Sequence, residues 1–207
     1  MKWLDRFAGR CLIGLARILT GAYANWLGCK PEAQQRLYFA NHSSHLDFLL
    51  LWAMLPPSIR YQTRPVAGAD YWGASKLRRY LIHRVFRGVL VERARPSAGH
   101  NPLAPLQAAL DAGDSLIFFP EGTRSLDGEM QAFKGGLYHL ARDNPEVEFV
   151  PVRMENLNRV MPKGNLLPVP LVCILSFGTP VTLAAEETKP AFLARAREAV
   201  LAMMPKH

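Results

Sequence analysis

Arg36-Leu37-Tyr38-Phe39-Ala40-Asn41-His42-Ser43-Ser44-His45-Leu46-Asp47-Phe48-Leu49-Leu50-Leu51-Trp52 is the stretch whose reading decides the fold class. Its first five residues form a short apolar and aromatic run that reads as a buried strand, and the apolar pattern over 44–55 reads as a helix. A polar loop joins the two. The same alternation recurs downstream, with strands expected over 64–67, 88–91, 115–119, 148–152 and 169–177 and helices over 72–84, 102–112, 134–142 and 190–203. Strands alternating with helical patterns predict an α/β domain built on a largely parallel sheet. Two loops then draw notice, one beginning at Asn41 and one at Pro120, because open α/β sheets place ligand sites just beyond the ends of their strands.

The 207 residues suit one globular unit, and a 49% hydrophobic content can supply a sizeable core. Three cysteines, Cys11, Cys29 and Cys173, show no paired spacing, which argues against a disulfide framework and a zinc site and fits a reducing compartment. The formal charge of +8 attracts an anionic partner, whether nucleic acid, a headgroup layer or a phosphorylated substrate. No helix-turn-helix, zinc-finger or RNA-motif signature accompanies that charge, so nucleic acid is not expected. No uncharged apolar run reaches the roughly 18 residues of a spanning helix.

The N-terminal segment reads as a retained amphipathic helix rather than a signal peptide, because Arg17 interrupts its apolar stretch and no clear cleavage site follows. On a helical wheel Arg6, Arg10 and Arg17 fall within about 40° of one another, while Leu4, Phe7, Cys11, Leu15, Ile18, Leu19 and Trp26 spread over the other side. Such a helix suits the headgroup layer of a membrane, and its apolar face equally suits packing on the protein's own core. Gly28-Cys29-Lys30-Pro31 breaks the pattern, giving an expected helical membrane-association segment over 1–28 and an α/β domain over 29–207.

In the first loop His42 and Asp47 are five residues apart, about 140° around a regular helix, so they meet only if His42 lies in the loop and folds back over the first turn. So placed, a neutral imidazole takes a proton from a hydroxyl while the carboxylate fixes its tautomer. An alternative is a capping box, Ser44-x-x-Asp47, in which the carboxylate satisfies a backbone N–H. In the second loop, Glu121-Gly122-Thr123-Arg124 combines a carboxylate, a glycine, a hydroxyl and a guanidinium, which reads as an anion site or as a turn holding a Glu–Arg pair. Lys134 and Arg93 add cations. No Gly-x-Ser-x-Gly elbow or activated cysteine supports a covalent nucleophile, and no metal-ligand cluster is visible.

Taken in order, Asn-His-x-Ser-x-x-Asp at 41–47, Gly-x-x-x-x-Arg at 88–93, Phe-Pro-Glu-Gly-Thr-Arg-Ser at 119–125 and Val-Pro-Val at 150–152 resemble the 1-acylglycerol-3-phosphate O-acyltransferase family. The resemblance implies the glycerolipid acyltransferase fold, a mostly parallel mixed sheet flanked by helices. It also implies a lysophospholipid acceptor, acyl-CoA or acyl-carrier protein as donor, and a place on the cytoplasmic face of the membrane. By the same resemblance His42 is the general base, Asp47 its orienting partner, Arg93 and Glu121-Gly122-Thr123-Arg124 acceptor-binding residues, and Pro151 an acyl-substrate contact. Thr123 and Arg124, with Arg93 and Lys134, are expected to hold the acceptor phosphate, and no cofactor is expected. The second motif carries Leu90 where the family usually has an aromatic residue. The chain also lacks a spanning helix of the kind many relatives have, which leaves attachment to the N-terminal helix as a peripheral or monotopic anchor. Glycerol 3-phosphate, dihydroxyacetone phosphate and a lyso-aminolipid remain alternative acceptors, and a non-catalytic basic membrane-binding protein is the alternative of another class.

Overall fold

The computed structural model describes residues 3–44, 47–92, 101–125, 129–156 and 172–203. Its strands are β1 (Tyr23–Trp26), β2 (Arg36–Ala40), β3 (Thr63–Gly68), β4 (Val89–Val91), β5 (Ser115–Phe118), β6 (Glu148–Glu155) and β7 (Ile174–Phe177). Its helices are α1 (Trp3–Thr20), α2 (Asp47–Met54), α3 (Pro57–Arg60), α4 (Ala69–Trp72), α5 (Lys76–Tyr80), α6 (Ala104–Asp111), α7 (Gly136–Asp143) and α8 (Lys189–Leu201). The strands form one sheet in the order β1-β7-β6-β2-β5-β3-β4, parallel throughout except between β6 and β7. The expected α/β class and mostly parallel sheet are therefore what the chain adopts.

Every residue of β2 is buried, because this central strand is covered on both faces. Tyr38 and Ala40 point into a core with Leu50, Trp52 and Val85, while Leu37 and Phe39 point into a second core with Leu106, Leu137 and Phe192. The period-2 alternation of one strand thus feeds two cores and gives a three-layer arrangement, with α1 and α2 on one face and α6, α7 and α8 on the other. β2 lies between β5 and β6, so the loops that leave β2 and β5 emerge side by side.

Two expected helices are corrected. The pattern over 72–84 is not a single helix: α4 ends at Gly73, Ser75 caps a new start by accepting from the Arg78 N–H at 3.2 Å, and α5 runs on into a π-helical turn over Leu81–Val85. The N-terminal helix stops at Thr20 and does not run to 28. Gly21 adopts the left-handed φ of 55° and donates its N–H to the Arg17 carbonyl, a helix-ending geometry that glycine adopts without a Cβ penalty. Tyr23–Trp26 then joins the sheet as edge strand β1 beside β7, with Trp26 stacked on Phe177 at 3.9 Å.

The face that α1 buries also differs from a wheel reading in which its large apolar residues pack on the core. Asp5, Gly9, Ile13, Ala16 and Thr20 form the inward stripe, at spacings of three and four residues. Trp3, Leu4, Phe7, Leu15 and Ile18 are exposed instead, Ile18 by 83%. Small side chains permit close approach to α2 and the π-helical turn, and the bulky residues are left pointing outward. No helix among the described residues is long and apolar enough to cross a membrane.

Candidate active site

α2 supplies the first catalytic candidate because both of its ends are fixed. At its C-terminal end the buried Arg60 guanidinium donates to the carbonyls of Trp52, Ala53 and Leu55, and Arg17 of α1 also donates to Ala53. These donors satisfy carbonyls that no helical partner reaches and place positive charge at the negative end of the helix dipole. At its N-terminal end stands Asp47, fully buried. Its Oδ2 accepts from the backbone N–H of Ser43 at 2.6 Å and of Ser44 at 2.9 Å, and lies 2.8 Å from His42 Nδ1. The capping alternative and the catalytic one are therefore realised together by one oxygen. Asp47 Oδ1 is buried and has no hydrogen-bond partner among the described residues.

His42 sits in the loop after β2, as its spacing from Asp47 requires. With Nδ1 donating to the carboxylate, Nε2 is left as the basic nitrogen. Its side chain is 15% exposed, enough for one ring edge to meet a substrate. The second loop grips this residue from the other side. Glu121 Oε1 accepts the His42 N–H at 2.7 Å, the Ser125 N–H donates to the His42 carbonyl at 2.8 Å, and the Phe119 ring stacks on the imidazole at 4.3 Å. Asn41 secures the third side: its side chain donates to and accepts from the backbone of Met154, at 2.9 and 2.8 Å, extending the β2–β6 pairing by one residue.

The remaining expected site residues divide into groups. Glu121 is 1% exposed, and both oxygens are engaged by backbone donors, since the Gln131 N–H reaches Oε2 at 2.9 Å. It braces the loop, and no Glu121–Arg124 ion pair forms among the described residues. Burial holds its carboxyl above the ordinary glutamate range, outweighing the two N–H donors. Gly122 takes a φ of 69°, and the Lys134 side chain lies where a Cβ would stand, its ammonium 2.8 Å from that position. Lys134 is thus brought to the second loop, with exposed Thr123 and half-buried Arg124 alongside in the chain. Pro151 is buried in β6 opposite Phe39, packed beneath Gly178. Arg93 lies outside the described residues. Asn41 and Phe119 gain positions that motif reading did not assign, since only the strand order shows what they touch.

Cysteine offers no competing nucleophile in the core: Cys173 is fully buried and its thiol is pushed up to about 11, chiefly by desolvation, so it stays protonated near neutrality. No cluster of three or more histidine, cysteine or acidic side chains arranged for a metal ion occurs among the described residues.

A family model described as Acyltransferase matches residues 29–155, more than half of the chain, and spans both loops. The chain belongs to the acyltransferase family. Among similar proteins, a 1-acyl-sn-glycerol-3-phosphate acyltransferase of Limnanthes alba is 26% identical over 172 residues, covering 81% of this chain and 58% of that protein. The alpha form of the same enzyme from Homo sapiens is 30% identical over 129 residues, covering 61% of this chain and 42% of that protein. The chain thus spans about half the length of these curated relatives. In architecture it is similar to the crystal structure of the 1-acyl-sn-glycerophosphate acyltransferase PlsC from Thermotoga maritima, with a TM-score of 0.72 at 20% identity, covering 98% of this chain and 83% of that one. This likeness bears out the expected fold of the family.

Glu121→Gln provides a test of the bracing role. A carboxamide keeps one acceptor and turns an N–H donor toward a second backbone N–H, so the His42 backbone shifts. The expected result is a kcat lowered about tenfold to hundredfold, as for a misplaced catalytic group, with the KM for the acceptor little changed. A rise in KM at unchanged kcat would instead make Glu121 an acceptor contact.

Proposed function

We propose that the protein transfers a fatty acyl group from acyl-CoA or acyl-carrier protein to the free hydroxyl of a lysophospholipid, 1-acyl-sn-glycerol 3-phosphate in the first instance, giving phosphatidic acid. The observation that carries this reading is the 2.8 Å contact between His42 Nδ1 and the buried Asp47 carboxylate, with Nε2 left free, in a chain of the acyltransferase family. His42 Nε2 takes the proton of the acceptor hydroxyl as its oxygen attacks the thioester carbonyl. The tetrahedral intermediate collapses, the C–S bond breaks, and the proton passes from the imidazolium to the departing thiolate. Asp47 holds the tautomer and stabilises the imidazolium between these two transfers. No acyl-enzyme is required, because a thioester already carries a good leaving group.

Arg124 and Thr123, with Lys134 and Arg93, bind the acceptor phosphate and orient its hydroxyl toward His42; a guanidinium suits this by its bidentate donors. Pro151 belongs to the wall that receives the acyl chain. The outward stripe of α1 holds the protein on the cytoplasmic face of the membrane as a peripheral or monotopic enzyme, where the lysophospholipid acceptor resides.

The test is transfer of labelled acyl groups from each donor to lysophosphatidic acid in vesicles, run beside glycerol 3-phosphate and a lyso-acceptor without a phosphate. Product from lysophosphatidic acid in preference to the others is expected. Arg124→Ala should then raise the KM for the phosphorylated acceptor by roughly tenfold to hundredfold, in line with loss of a charge-assisted contact. Equal effects of Arg124→Ala on acceptors with and without a phosphate would remove it from the phosphate site. Inactivity with every acceptor under both donors would overturn the proposed reaction.

A further inference from the structure

We propose that α5 is a second membrane-contact element, so that the protein meets an anionic bilayer through a composite face rather than through α1 alone. The inference rests on the membrane reading of α1 given above. Large apolar side chains that are exposed among the described residues fall in four places: α1, α5, the turn and edge strand that follow α1, and Val172, which lies against Gly21 at the end of α1. The helices on the opposite layer, α6 to α8, contribute none of them. Leu77 on α5 is 66% exposed and Tyr80 38%. They are three residues apart and so lie on one side of the helix.

That side abuts α1. The Tyr80 hydroxyl donates to Asp5 Oδ1 at 3.0 Å, and Arg84 pairs with Asp5 Oδ2 at 3.5 Å. Between Tyr71 and Val91 the chain has five lysine and arginine residues and no aspartate or glutamate. Three of these cations have protein partners: Arg78 lies over the Tyr71 ring, Arg84 meets Asp5 and Arg87 meets Asp114. Lys76 and Arg79 are exposed and have no carboxylate partner among the described residues. An exposed leucine flanked by two such cations, with a tyrosine one turn on, matches the chemistry of a phospholipid interface. The apolar tip enters the acyl boundary while the cations meet phosphates. A lone helix lying on a bilayer leaves the molecule free to roll about the helix axis. A second contact beside its N-terminal end fixes that rotation and with it the direction in which the His42 loop faces.

The test is flotation of the full chain with vesicles of phosphatidylcholine, with or without phosphatidylglycerol, for three proteins: wild type, a Lys76→Glu/Leu77→Ser/Arg79→Glu variant, and a Phe7→Ser/Ile18→Ser variant of α1. The α5 variant is expected to lose about tenfold or more in partitioning onto the anionic vesicles while melting like wild type. Unchanged binding by the α5 variant beside impaired binding by the α1 variant would overturn the role of α5 and leave that of α1 standing. A wild type that floats with neither vesicle would overturn both. If the triple variant melts early, Leu77→Trp decides the matter, since it removes no charge and adds interfacial area. Tighter anionic-vesicle binding is expected, and unchanged binding would overturn the proposal.

Discussion

Replacing His42 with alanine is expected to lower kcat for acyl transfer by about a hundredfold to ten-thousandfold, the contribution of a positioned general base. The fold should survive. The imidazole is partly exposed, and the backbone contacts that hold this residue, to Glu121 and from Ser125, do not involve its side chain. Truncation leaves Asp47 Oδ2 with two backbone donors, from Ser43 and Ser44, so the buried carboxylate keeps partners. The loss should therefore appear in single-turnover rates of a protein whose circular dichroism and thermal midpoint stay near wild type. Undiminished transfer by a folded His42→Ala protein would refute the mechanism, since no other imidazole or activated thiol stands in that position among the described residues.

Asp47→Asn should cost about as much in rate, up to roughly ten-thousandfold where a wrong tautomer is fixed, and should also destabilise the fold. One carboxylate oxygen serves three donors, the N–H groups of Ser43 and Ser44 and His42 Nδ1. An asparagine can offer its carbonyl oxygen there only by turning its NH2 into the buried position of Oδ1, which has no partner among the described residues. The opposite flip aims the NH2 at two backbone N–H groups and drives the proton of His42 to Nε2, the nitrogen that must accept. Either orientation leaves a buried polar group unsatisfied, at about 1–3 kcal/mol. The paired measurement is thermal unfolding beside kcat. A variant with full activity would show that Asp47 only caps the helix, and loss of stability without loss of rate would point the same way.

Much of the fold was legible along the chain. The strands at 36–40 and 115–118 stand close to where their apolar runs placed them, because a buried strand in a parallel sheet must be apolar on both faces. The helix over 72–84 was not legible as broken, since Gly73 and Ser75 signal a break only weakly while the apolar pattern continues across it. β1 was missed for another reason. Four residues carry little periodicity, and Tyr23–Trp26 becomes a strand only by pairing with Ile174–Phe177, far off in the chain.

The sequence by itself determined the His42–Asp47 pair, because five residues and a helix start are a local geometry, and local geometry is written in spacing. For the second loop, residue types alone left two readings open, an anion site or a turn holding a Glu–Arg pair. Only the tertiary structure decided that Glu121 faces inward to hold the His42 backbone, and that Phe119 stacks on its ring. Both contacts depend on β5 lying beside β2, and strand order is set by how the helices pack on both sheet faces rather than by any residue pattern within the loops. The same holds for α1. Its sequence defined an apolar stripe, and packing chose the small-residue stripe opposite as the buried one, because only that surface lets the helix approach α2 closely.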